Sequence, residues 1–101
     1  MSPLFWKYGS CTVTLTRTDD GLLFSGHDLA AFGEPGHDYE YYVSVPEAAF
    51  PAMRTALGVP TDADVLAALL ANVDQLMPAG EVTWLKRHGI EHSLSVWDHL
   101  E

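Results

Sequence analysis

The strongest constraint on the fold lies in residues 11–25. Cys11-Thr12-Val13-Thr14-Leu15-Thr16-Arg17 alternates apolar and polar residues with a period of two, so Cys11, Val13 and Leu15 share one face and the threonines the other. This is the pattern of a strand with one buried face. Thr18-Asp19-Asp20-Gly21 follows, where Asp-Gly supplies the positive φ angles of a tight hairpin, and Leu22-Leu23-Phe24-Ser25 returns as a second strand. The pair is therefore expected to be antiparallel, with a single apolar face that another layer must cover.

The rest of the chain supplies that layer. Tyr39 to Val45 alternates again, with Tyr39, Tyr41, Val43 and Val45 on one side and Glu40, Tyr42 and Ser44 on the other, and predicts a third strand ended by Pro46. Phe50, Met53 and Leu57 have the spacing of a short helix, with Gly58 as its cap and Pro51 near its start. Asp62 to Met77 predicts the longest helix. Thr61 and Asp64 form a capping pattern, and Val65, Leu66, Leu69, Leu70, Val73, Leu76 and Met77 make one apolar stripe before Pro78. Gly80 to His88 predicts a third helix carrying Val82, Trp84 and Leu85; Gly89 fits its C′ position, and Ile90 can pack back on Leu85 as in a Schellman motif. Glu91 to Trp97 alternates once more, with His92, Leu94 and Val96 on one face, and predicts a fourth strand. Phe5-Trp6-Lys7-Tyr8 either extends the first strand or packs across its end.

The order β-β-β-α-α-α-β indicates an α+β domain, an antiparallel four-stranded sheet with helices packed on one face. At 101 residues and 48% apolar composition the chain has enough core for one domain and too little for two, so residues 1–101 read as a single unit. Leu100-Glu101 match the scar of a cloning site ahead of a histidine tag.

Charge and cysteine content narrow the function classes. The formal net charge is −9, and lysine and arginine clusters of the kind that displace counterions from phosphate backbones are missing, which argues against nucleic acid as a partner. Between Arg17 and Arg54 there is no basic residue apart from histidine, while Asp19, Asp20, Asp28, Glu34, Asp38, Glu40 and Glu47 all fall there. Such a segment makes either a solvated face or a surface that steers a basic protein. Cys11 is the single cysteine, so no internal disulfide and no thiolate-rich metal site can form. With no apolar run of about 18 residues and no signal-peptide pattern, the expectation is a cytoplasmic protein without a membrane partner.

One pattern invites chemistry. Gly-His-Asp occurs twice, at Gly26-His27-Asp28 and Gly36-His37-Asp38. His27, Asp28, His37 and Asp38 could close around a metal ion if both dipeptides turn toward each other, while the same residues are also ordinary turn formers. The second reading makes residues 25–42 a connection that turns at each end. His88 and His92 stand four apart, but Gly89 between them ends the helix that would align them. Cys11, beside Val13 and Leu15, reads as a packed thiol. No G-x-S-x-G, phosphate-binding loop or dinucleotide fingerprint occurs, so no catalytic or cofactor-binding residue is assigned. Asp38, Tyr39, Glu40, Tyr41 and Tyr42 interleave aromatic and acidic groups, a composition suited to a protein interface as well as to cross-strand pairing.

The strings "LLFSGHDL", "DYEYYVSV", "ALG" before "DADVLAALL", and "WLKRHGIEHSLSVW" resemble a group of small, acidic, uncharacterised bacterial proteins with a similar order of elements, over about residues 11–97. The resemblance implies a compact family domain and carries over no catalytic residue. The reading that follows is a non-enzymatic interaction module, immunity- or antitoxin-like, that binds a basic protein. The competing reading is a small metal-binding protein or metal-dependent enzyme using His27, Asp28, His37 and Asp38. A third is a homodimer formed through a sheet edge or aromatic face.

Overall fold

A computed structural model of the chain describes residues 4–8, 11–28, 37–77 and 80–100. Five strands, β1 (Leu4–Tyr8), β2 (Cys11–Thr18), β3 (Gly21–Asp28), β4 (His37–Pro46) and β5 (Ser93–Leu100), form one sheet in the order β1-β2-β3-β4-β5. Every neighbouring pair is antiparallel. Between β4 and β5 the chain makes a 3-10 turn (Glu47–Ala49) and helices α1 (Phe50–Leu57), α2 (Val65–Ala71), α3 (Val73–Leu76) and α4 (Glu81–Arg87). The architecture is α+β with the helices on one face of an antiparallel sheet, but the sheet has five strands and not four.

The added strand is β1. Leu4 pairs with Thr14 and Trp6 with Val13, so one extra residue, Phe5, is accommodated by a bulge. A bulge breaks the alternation of side chains. Phe5 consequently enters the core and meets the Phe24 ring edge-on at 5.5 Å, while the next residue, Trp6, packs partly buried against the same core. Two successive core-side aromatics have no periodicity to read, which is why residues 5–8 could not be placed from sequence.

The β2–β3 hairpin forms as the alternation predicts, with Thr18 opposite Gly21 and the Thr18 hydroxyl accepting from the Gly21 amide at 3.0 Å. One face of the sheet supplies Val13, Leu15, Leu22, Phe24, Val43 and Val45 to the core, where they meet Phe50, Met53, Val65, Leu69, Leu76, Trp84 and Leu85 from the helices. The other face carries Thr12, Thr14, Thr16, Ser25, His27, Glu40, Tyr42 and Ser44, and no helix covers it among the described residues.

Caps set the helix boundaries. α1 ends at Gly58, whose φ of 70° places it in the left-handed region that glycine adopts without strain. α4 ends in the expected Schellman motif: the Ile90 amide donates to Leu85 at 2.9 Å, the Gly89 amide to Lys86 at 3.2 Å, and Ile90 is buried. The long helix expected over Asp62–Met77 is divided. It starts at Val65, because Asp64 is the N-cap and its carboxylate accepts from the Leu66 amide at 3.0 Å. It breaks at Asn72, whose side-chain amide donates to the Ala68 carbonyl at 2.8 Å and whose φ of −115° leaves the helical range. Its expected stop, Pro78, lies outside the described residues.

β5 differs most from expectation. It begins at Ser93, and its apolar residues are not covered: Leu94 is 50%, Val96 47% and Trp97 57% exposed. Leu94 and Val96 stand opposite Val43 and Tyr41, on the core side of the sheet, yet at this edge they remain half exposed.

Candidate functional site

The doubled tripeptide is not a pair of turns. Gly26-His27-Asp28 belongs to β3, where it pairs with Tyr41, Glu40 and Tyr39 in order, and His37-Asp38 opens β4. Strand alternation therefore puts His27 and Glu40 on the uncovered face, with 3.9 Å between His27 Nε2 and Glu40 Oε1, and Asp28 and Tyr39 on the core side. The side chains of His37 and Asp38, like Gly36, lie outside the described residues. Among the described residues no three histidine, cysteine, aspartate or glutamate side chains gather to hold a metal ion.

The same alternation divides the tyrosine-rich segment. Tyr39 and Tyr41 share the core side, their ring centroids 6.2 Å apart, while Glu40 and Tyr42 stand on the uncovered face beside Trp97 and Ser95. His92, expected to be hydrogen-bonded and partly buried, is so: its Nδ1 donates to the Ile90 carbonyl at 2.8 Å. A cleft of about 420 Å³ runs past it, lined by Leu22, Leu23, Ser44, Glu91 and His92, but the polar groups along it are not buried orphans.

The site with chemical character lies elsewhere. Trp6 of β1, Val13 of β2, Gly26 of β3 and Tyr41 of β4 form one cross-strand row. A Cβ at Gly26 would fall inside the Tyr41 ring. The missing side chain therefore makes a trough in which the Tyr41 ring lies across the sheet, a known way for an aromatic to compensate a strand glycine. Lying down, Tyr41 reaches the first turn of α4, where its hydroxyl donates a hydrogen bond to the Glu81 carboxylate. Trp6, Cys11, Val13 and Tyr41 from the sheet and Met77, Gly80, Glu81, Val82 and Thr83 from the helical side line an open cleft of about 580 Å³.

Glu81 is the one buried charged residue among those described, 3% exposed, and its Oε2 has no hydrogen-bond partner. Burial pushes the Tyr41 hydroxyl's ionisation up, reinforced by its hydrogen bond to Glu81 and by that residue's charge. Burial also pushes the Cys11 thiol up, with Asp28 and Glu81 adding to the effect. Cys11 is thus held as a thiol packed against the core, poorly suited to nucleophilic attack. The site offers an acceptor carboxylate, a phenol and an aromatic and thioether wall, without an activated nucleophile.

Sequence reasoning missed Glu81 because nothing in "AGEVTWL" distinguishes a buried glutamate from a favourable first-turn acid. It also read Gly26 as a turn residue. The available signal was a glycine within an alternating strand opposite a tyrosine, visible only once the β3–β4 register is known.

No family model, curated protein or solved structure matches this chain. No helix among the described residues is long and apolar enough to cross a membrane.

Proposed function

We propose that this protein is a non-enzymatic, acidic interaction module, immunity- or antitoxin-like in character, that docks a basic protein on β5. The observation that carries the reading is the exposure of Leu94, Val96 and Trp97, three large apolar side chains within four residues of an edge strand. Natural sheets avoid long apolar edges because they invite pairing, so an edge that keeps them is suited to a partner. The outer side of β5 offers main-chain groups for strand addition, and its alternating side chains offer specificity.

Charge selects the partner's class. The chain carries −9, Glu91 is exposed just before β5, and Glu40 stands opposite Trp97. A basic surface is therefore steered toward this edge, with an association rate that falls as salt rises. The uncovered face, carrying Tyr42 and Trp97 on a bed of serine and threonine, extends the contact surface.

The test is affinity capture from native lysate at low and high ionic strength, with wild type and a Leu94→Ser/Val96→Thr/Trp97→Ser variant compared in parallel. The expected result is a basic protein retained by wild type at low salt, released by high salt and not retained by the variant. Recovery of no partner at low salt, or equal retention by the variant, removes the reading. Sedimentation of the purified protein separates the alternative occupant, a second copy of the chain, whose dimer would dissociate in the same variant.

A further inference from the structure

We propose that the cleft between the β1–β4 side of the sheet and α4 is a binding site for a small organic amine, with Glu81 as its anion and Trp6 and Tyr41 as its aromatic wall. This site adjoins the β5 surface where Tyr41 stands opposite Val96, but its reading does not depend on that surface.

The first observation is the carboxylate. Glu81 is 3% exposed, Tyr41 satisfies it from one side, and Oε2 has no partner. A buried charged acceptor left unpaired carries a large desolvation penalty, and native proteins retain such groups chiefly where something else supplies the donor. None of the described residues that line the cleft is basic, so they do not supply it there. Oε2 itself is shielded from solvent, and the soft terminal torsion of glutamate allows the carboxylate to turn an oxygen toward the cleft that the residue lines.

The second observation is the size and lining of the cleft. A volume of about 580 Å³ is the size of a pocket for a small organic molecule and far exceeds what one water needs. Its wall of Trp6, Val13, Met77 and Val82 suits an apolar body, and a cation seated over the Trp6 or Tyr41 ring is attracted as a neutral alcohol is not. The net charge of −9 raises the local concentration of cations and disfavours anions. Carboxylate, aromatic faces and overall charge all select a protonated amine on a compact apolar body.

Gly26 is what makes the site possible. Any side chain there would drive the Tyr41 ring out of its trough, and the phenol would leave Glu81. The doubled Gly-His-Asp thus contains one residue of the site's architecture, and that residue is the glycine.

The test uses the full chain and three isosteric probes, benzylamine, benzyl alcohol and benzoate, with binding read by calorimetry and by the NMR signals of the Trp6 indole and Val82 methyls. Benzylamine is expected to bind and to shift those signals, and the other two to bind at least about tenfold more weakly, the lower range for a hydrogen bond to a charged group. Glu81→Gln, nearly identical in shape, is expected to lower benzylamine affinity by at least about tenfold. Equal binding of benzyl alcohol or benzoate overturns the proposal, as does unchanged affinity in Glu81→Gln. Should that variant not fold, mapping in wild type decides alone: benzylamine shifts that fall outside the cleft, or no shifts at all, overturn it.

Discussion

Gly26 offers the sharpest test of how this sheet is built. In the wild type, Gly26→Ala places a methyl group inside the Tyr41 ring, and Gly26 sits in a regular strand where alanine meets no backbone strain. The cost therefore comes from Tyr41 alone. Displacing a ring from a packed site costs about 1–3 kcal/mol, and withdrawing the phenol from Glu81 adds about 1–3 kcal/mol for a buried carboxylate losing its donor. A combined loss of about 2–6 kcal/mol is a large part of the stability of a domain of this size. In a Tyr41→Ala background the obstacle is gone, and Gly26→Ala should then stabilise by roughly 0.5–1 kcal/mol, because glycine loses more chain entropy in a strand than alanine does. Urea denaturation of wild type, both single variants and the double variant closes the cycle, with a coupling of at least about 2 kcal/mol expected for residues in contact. Equal cost of Gly26→Ala in both backgrounds would show that the Tyr41 ring does not occupy the trough.

Two further outcomes follow from burial. Cys11 and Tyr41 are acids whose ionisation is pushed above the ordinary values in the fold, mainly by burial, so the folded chain holds these protons more tightly than the unfolded one. Stability is then full below the ordinary thiol value of about 8.5 and declines as pH rises through it and toward the phenol range. Urea midpoints at neutral and alkaline pH should show the decline in wild type and a smaller first part of it in Cys11→Ser; a midpoint that rises above pH 8.5 contradicts the assignment. Leu69, fully buried between α2 and the sheet, should lose about 2–5 kcal/mol on substitution by alanine, whereas Leu94→Ala, at 50% exposure on β5, should lose less than about 1 kcal/mol. Comparable losses at the two positions would mean that β5 is covered in the isolated protein.

What the sequence determines here is local. Alternation over Cys11–Arg17 and Tyr39–Val45 follows from the two-residue repeat of a strand, and the hairpin at Thr18–Gly21 and the caps at Gly58 and Gly89 follow from turn and helix-end chemistry within a few residues. Those features place most of the core, because a residue's side of the sheet is fixed by its parity. A bulge cancels that parity, and so Phe5–Tyr8 becomes a strand that no period announces. Asn72 breaks an unbroken apolar stripe because its side chain competes for a backbone carbonyl, an effect that hydrophobic spacing does not register.

The tertiary structure alone decided where the chemistry lies. His27 and Asp28 fall on opposite faces because β3 continues through them, whereas the turn reading had them at the end of a loop. Leu94 and Val96 show the same alternation as buried strand residues elsewhere in the chain, yet they stay exposed on β5, the edge strand of the sheet. Glu81, a buried carboxylate, meets the Tyr41 hydroxyl because a residue 55 positions earlier in the chain, Gly26, leaves room for Tyr41 to lie down and reach it. Local patterns specify which way a side chain faces; what it meets there depends on register, bulges and the strand's place in the sheet, which contacts between distant segments set.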